Sequence, residues 1–325
     1  MTRKRLAALA AVLLLLSFAL SVAFAASGAL HAAPKSLPGA APTAATSAYE
    51  YMAELSDEIG PRVAGTPAEA RAAERITQWF ADLGYNPGMQ EFSFEKGGAS
   101  RTSVNVIATK AGASTKRIII GAHYDSAAVG RGAFDNASGV ALMMQLADAL
   151  RAAQTPYALV FVAFGAEEVG LKGSEAYYQS LTPSQKADTV LMINLDSVAA
   201  GDRMYCYSSA HQAWPQLTLR SMARQMGATI LTSPGLNKDY PYGTTGDWSD
   251  HIVFNKNGIP YLYLEATNWL LGDKDGYVPS AKCGEIWHSK KDTISYIEQQ
   301  LPGRMEAQLE VELDALAAFL TTYSG

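Results

Sequence analysis

The stretch "RIIIGAHYDS", Arg117 to Ser126, decides the fold. Its apolar run is continuous rather than alternating, which is the pattern of a strand covered on both faces. It then stops on His123 and Asp125. Two other stretches repeat the design: "LVFVAFGAEE" (159–168) stops on Glu167 and Glu168, and "TVLMINLD" (189–196) stops on Asp196. Helical patterns over about 138–152 and 173–180 separate the three. Apolar strands alternating with helices define an α/β fold, a three-layer α/β/α sandwich around a mixed, mostly parallel central sheet.

Outward from this centre, strands are expected at "QEFSF" (90–94), "SVNVIAT" (103–109), "RMYCYS" (203–208) and "IPYLYLE" (259–265), with a closing amphipathic helix over about 301–323. Met52, Leu55 and Ile59 fall at helical spacing before the break at "GPRVAGTP". Thr66, Pro67 and Glu69 then read as a capping box opening the next helix, and Gly84 closes it. The 325 residues, 48% of them hydrophobic and 18% charged, suffice for a large core. A formal charge of -5 argues against nucleic acid as a partner.

At the N-terminus, Arg3, Lys4 and Arg5 precede an uncharged apolar stretch from Leu6 to Ala26, and Ala23-Phe24-Ala25 offers a small-x-small cleavage pattern. Residues 1–25 are therefore expected to be a signal peptide, 26–47 a flexible spacer rich in Ala, Pro, Gly, Ser and Thr, and 48–325 a single globular domain. Left uncleaved, the apolar stretch is about long enough, roughly 20 residues, to anchor the chain in a membrane. The expected location is periplasmic or extracellular. Cys206 and Cys283 then have two alternatives, a disulfide favoured by an oxidising compartment or two buried thiols.

In an open sheet the carboxyl ends of the strands are where ligands bind. His123, Glu168 and Asp196 fall there, and Asp135 in "GAFDNASG" and His288 in "EIWHSKKDT" supply two more donors. Histidine and carboxylate donors suit zinc, and five of them can hold two ions that share Asp135. His123 and Asp125, two apart on a strand, share a face, so Asp125 is placed to orient the imidazole. Glu167 is left free to act as general base.

In this order "AHYDS", "FDNASGV", "FGAEEVGLKGS", "NLD" and "HSKKDT" resemble the exported di-zinc aminopeptidases of clan MH, the bacterial leucyl aminopeptidase family, with glutaminyl cyclases as relatives. "IGPRVAGTPAEARAAERI" and "GDWSDHIVF" extend the resemblance from about Tyr49 to the C-terminus. It implies the zinc-aminopeptidase, phosphorylase/hydrolase-like fold and hydrolysis of one residue at a time from free peptide N-termini. It also implies two zinc ions on His123, Asp135, Glu168, Asp196 and His288, Glu167 as base, and a cis bond between Asp135 and Asn136. Trp287 before His288 is the departure, since a Trp-His pair there is similar to glutaminyl cyclases. The alternative is thus a single-zinc glutaminyl-peptide cyclotransferase; a non-enzymatic binding ectodomain is disfavoured by the intact Glu167.

Around the site Tyr242, Asp250, His251 and Trp287 are candidates for the substrate pocket. A solvated loop accounts equally for Tyr242, Asp247 and Asp250, and a structural histidine for His251. Asp292 is placed to brace His288.

Overall fold

The computed structural model describes residues 47–324; the expected signal peptide and all but the last residue of the expected spacer lie outside them. Among these residues seven strands form one sheet: β1 (Gly88–Lys96), β2 (Ala99–Lys110), β3 (Ser114–His123), β4 (Tyr157–Phe164), β5 (Thr189–Leu195), β6 (Arg203–Tyr207) and β7 (Tyr261–Thr267). Their order is β1-β2-β4-β3-β5-β7-β6. The four inner strands β4, β3, β5 and β7 run parallel, and β1, β2 and β6 pair antiparallel. The sheet is thus mixed and mostly parallel at its centre, as expected.

The helices are α1 (Ala48–Ala53), continued by a π-helical turn over Glu54–Ile59, then α2 (Pro67–Asp82), α3 (Ser138–Leu150), α4 (Lys172–Ser180), α5 (Pro183–Asp188), α6 (Trp214–Gln225), α7 (His251–Asn255), α8 (Ile294–Gln300) and α9 (Arg304–Thr322). They cover both faces of the sheet, and the side-chain alternation of β3 and β4 shows how. Ile118, Ile120 and Ala122, with Leu159, Phe161 and Ala163, join the large cluster that includes Val140 and Met144 of α3. Ile119, Val160, Val162 and Phe164 point the other way, to Tyr177 of α4 and Phe254 of α7. Each fully buried aliphatic side chain contributes about 1.5–3 kcal/mol, so strands apolar at every position are stabilised on both sides. Gly121 interrupts the run because a Cβ there would lie 2.4 Å from the Phe164 ring.

The closing helix stands as expected, as α9; the short α8 precedes it, parted from it by Pro302 and Gly303 (φ 69°). The capping box at α2 is half formed. The Thr66 side chain accepts from Glu69 N at 3.5 Å, but Glu69 turns inward to accept from Gly65 N (2.6 Å), Ser103 Oγ (2.6 Å) and Ala166 N (3.1 Å). Cys206 and Cys283 do not pair: both are buried free thiols. The Cys206 Sγ faces the Gln216 carbonyl of α6 at 3.9 Å, whereas Cys283 belongs to a turn held by Ser280 Oγ at 3.3 Å.

Candidate functional site

Because the inner strands are parallel, their carboxyl ends share one edge of the sheet. His123 ends β3, Glu167 and Glu168 follow β4, and Asp196 follows β5. Asp135 comes from the turn before α3, and His288 from the loop before α8. His123 Nε2 lies 3.2 Å from Asp135 Oδ1 and 3.4 Å from Asp196 Oδ1. His288 Nε2 lies 3.2 Å from Asp135 Oδ2 and 2.8 Å from Glu168 Oε2. Two groups of three donors result, His123/Asp135/Asp196 and Asp135/Glu168/His288, each with its donor atoms within 4.8 Å of one another. Asp135 is in both, one oxygen turned to each.

Local backbone sets this arrangement. Ala166, fully buried, takes a left-handed conformation (φ 54°), a conformation few non-glycine residues adopt. It turns the chain sharply after β4, so that the amides of Glu167 and Glu168 meet Asp125: Oδ1 accepts from Glu167 N at 2.9 Å and Oδ2 from Glu168 N at 3.2 Å. Asp125 therefore holds the glutamate turn. Its carboxylate is 3.6 Å from His123 Nδ1, which sits closer, at 3.2 Å, to the Asp125 carbonyl oxygen. Asp292 also differs from expectation. It braces the Asp135 turn rather than His288, with Oδ1 accepting from Phe134 N at 2.6 Å and Oδ2 from Asp135 N at 3.3 Å. The Asp135–Asn136 bond is cis, and Asn136 ties the turn to β5 by donating from Nδ2 to the Leu195 carbonyl at 2.9 Å. Ser249 Oγ donates to Asp196 Oδ2 at 2.7 Å. Beneath everything, the buried Arg62 guanidinium donates to the carbonyls of Leu55, Gly60, Tyr124, Arg131 and Gly132, joining the π-helical turn to the strand end and the Asp135 turn.

So many acids in one place need positive charge. Burial alone would lower His123, yet Glu167, Asp196, Asp125 and Asp135 hold it well above its ordinary range. Hydrogen bonds to Asp135 and Glu168 raise His288 to about 10. Burial raises Glu168, assisted by Asp135, and its buried Oε1 has no hydrogen-bond partner. Burial also pushes Glu167 well above the carboxylate range, with Asp250, Asp196 and Asp125 adding to it against His123. Two imidazoles, three carboxylates, an orphaned Glu168 oxygen and this excess of negative charge fit a pair of divalent cations, which would take the places of the protons on the histidines.

Beside the paired clusters opens a cavity of about 300 Å3, lined on one side by His123, Asp135, Glu167, Glu168, Asp196 and His288. Trp287 lines it, its ring centroid 4.9 Å from that of His288. The other three pocket candidates do not. Tyr242 is 60% exposed, outside the cavity, with Arg220 donating to its hydroxyl. Asp250 is fully buried behind the site, and burial raises it to about 7. His251 is buried too, its ring 4.8 Å from Tyr263 and 4.6 Å from Tyr261, and burial drops it to about 3, so it is neutral. Tyr240, Trp248, Tyr263, Glu265, Asp275 and Tyr277 line the cavity instead. Glu265 carried a legible signal, an acid near the end of an apolar strand, the same that marked Asp196.

The geometry is that of a metallohydrolase, and similarity to known proteins agrees. Residues 105–311 match the model of peptidase family M28. The chain is 37% identical over 279 residues to the alkaline phosphatase isozyme conversion protein of Escherichia coli, covering 75% of this chain and 81% of that one. Among solved structures it resembles a zinc aminopeptidase of Bacillus subtilis (TM-score 0.69, 19% identity, 87% of this chain and 97% of that one). It also resembles a glutaminyl cyclase of Porphyromonas gingivalis (TM-score 0.66, 21% identity, 84% and 96%). This chain belongs to peptidase family M28. It is a hydrolase, and the reading of its sequence as a metallopeptidase acting at chain ends stands.

Proposed function

We propose that the chain is an exported aminopeptidase that removes the first residue of peptides with two zinc ions, one on His123, Asp196 and Asp135, the other on Asp135, Glu168 and His288. The observation that carries this is the shared Asp135, whose two oxygens face one imidazole each. Bound there, zinc would supply Lewis acidity for the scissile carbonyl and the attacking water. Glu167, outside both triads and facing the cavity, takes the proton from the attacking water. As the C–N bond breaks it returns that proton to the leaving amine. Asp125 keeps Glu167 and Glu168 diverging by holding both amides, and Asp292 fixes the turn that presents Asp135. In this reading residues 1–25 direct export, 26–47 form a spacer and 48–325 are the catalytic domain; among the described residues no helix is long and apolar enough to cross a membrane.

Metal content and products measured on one purified sample test the proposal. Two zinc ions per chain with release of a free amino acid support it. One zinc ion, ammonia release and a pyroglutamyl product would replace it by the cyclase reading that Trp287 suggests.

Asp292→Ala separates bracing from binding. Without the acceptor for Phe134 N and Asp135 N, the shared carboxylate loses its fixed direction, and zinc affinity is expected to fall about 10- to 100-fold in chelator competition. Unchanged affinity would mean the turn holds its shape without Asp292.

A further inference from the structure

The cavity carries two acids that hydrolysis itself does not use. Leu195 pairs with Leu264, so Asp196 and Glu265 stand level on neighbouring parallel strands, roughly 5 Å apart along the sheet. Glu265 is fixed from behind by buried groups: Trp269 Nε1 donates to Tyr207 Oη at 2.6 Å, and Tyr207 Oη donates to Glu265 Oε2 at 3.0 Å. Among the described residues no donor reaches its Oε1, and Glu265 lines the cavity. Asp275 lines it as well, its Oδ1 accepting from Tyr277 N at 3.0 Å. No lysine or arginine is among the residues that line this space, and the rings of Tyr240, Trp248 and Tyr263 supply much of its wall.

An aliphatic side chain placed here would strip water from two carboxylates and give them no partner, which is unfavourable. A guanidinium or ammonium group pairs with the carboxylates and meets aromatic rings, whose faces attract cations. The substrate's own α-ammonium has nearer partners, because it adjoins the scissile carbonyl and so lies by Glu167 and Asp196, one strand closer to the paired clusters.

We infer that Glu265, supported by Asp275, makes this cavity the pocket for the side chain of the substrate's first residue and selects a cationic one, arginine or lysine. The inference rests on the aminopeptidase reading. It is tested with arginyl, lysyl and leucyl 4-nitroanilides on the wild type, Glu265→Gln and Asp275→Asn. The wild type is expected to favour the cationic residues. Glu265→Gln lowers the arginine-to-leucine ratio of kcat/KM by about 30-fold and Asp275→Asn by about threefold, as expected for a close and a more distant charge. Free arginine should also inhibit the wild type at lower concentration than free leucine, a readout independent of how well the variants fold. Faster release of leucine than of arginine, or stronger inhibition by leucine, overturns the inference alone. A Glu265→Gln enzyme in which both substrates fall together with the ratio intact overturns it as well, and gives Glu265 to the α-ammonium or to the fold. A wild type that releases no amino acid from any substrate overturns the aminopeptidase reading, and this inference with it.

Discussion

Glu167→Gln is expected to lower kcat about a thousandfold while the protein keeps its metal and its fold. The substitution preserves shape and volume but replaces a carboxylate with an amide that cannot take a proton, and a positioned general base is worth about 10²–10⁴-fold. The surroundings should tolerate the change. Glu167 is anchored through its amide, which donates to Asp125 Oδ1 at 2.9 Å, and that bond is untouched by the side chain. Neither group of three donors includes Glu167, so zinc per chain, measured by atomic emission, should match the wild type. The pH profile gives a second check. Burial and the neighbouring acids raise the Glu167 pKa, bound cations bring it down again, and only the ionised form accepts a proton. The wild-type rate therefore falls as pH drops through that pKa, and the Gln variant loses this acid limb. A variant retaining more than about a tenth of wild-type kcat, far above what loss of a general base leaves, would show that another group moves the proton.

The sequence reveals the paired glutamates because a strand buried on both faces must be apolar throughout, so the first acids after it are conspicuous. The same logic exposed His123 and Asp196, and it applies to Glu265. What stays hidden is what holds these side chains in place. Glu69 reads locally as a helix cap, but its partners Ser103 and Ala166 are 34 and 97 residues away, and no periodicity encodes that. Asp292 lies four residues from His288, yet its hydrogen bonds go to Phe134 and Asp135, 158 and 157 residues distant. The loop before α7 fails for a related reason. Trp248 lines the cavity, while Asp250, two residues on, is buried behind the site as the chain turns into the helix. Composition marks such a loop as the wall of a pocket, but which of its residues face inward depends on the elements packed beneath it.

Asp135→Ala should do more damage than the loss of any other single donor, because Asp135 alone belongs to both groups of three. Burial by itself would raise the Asp135 pKa, but the His123 and His288 imidazoles hold it far below the ordinary carboxylate range, so this oxygen pair is an anion that each cluster is built around. Removing it leaves each proposed ion with two protein donors and leaves the two histidines facing fewer acids. Activity is expected at least about a thousandfold below wild type, in line with the several kcal/mol of transition-state stabilisation that bound ions supply. Activity alone would not separate lost binding from lost chemistry, whereas thermal unfolding with and without added zinc does. A metal that binds only the folded state raises its midpoint by mass action, so the wild type should shift upward with zinc and Asp135→Ala should not. Asp196→Ala, which removes a donor from one group only, should keep part of that shift. If Asp135→Ala retained two ions per chain and the full zinc-dependent shift, the carboxylate would not be shared, and the two groups of donors would have to act as separate sites whose common residue is an accident of packing.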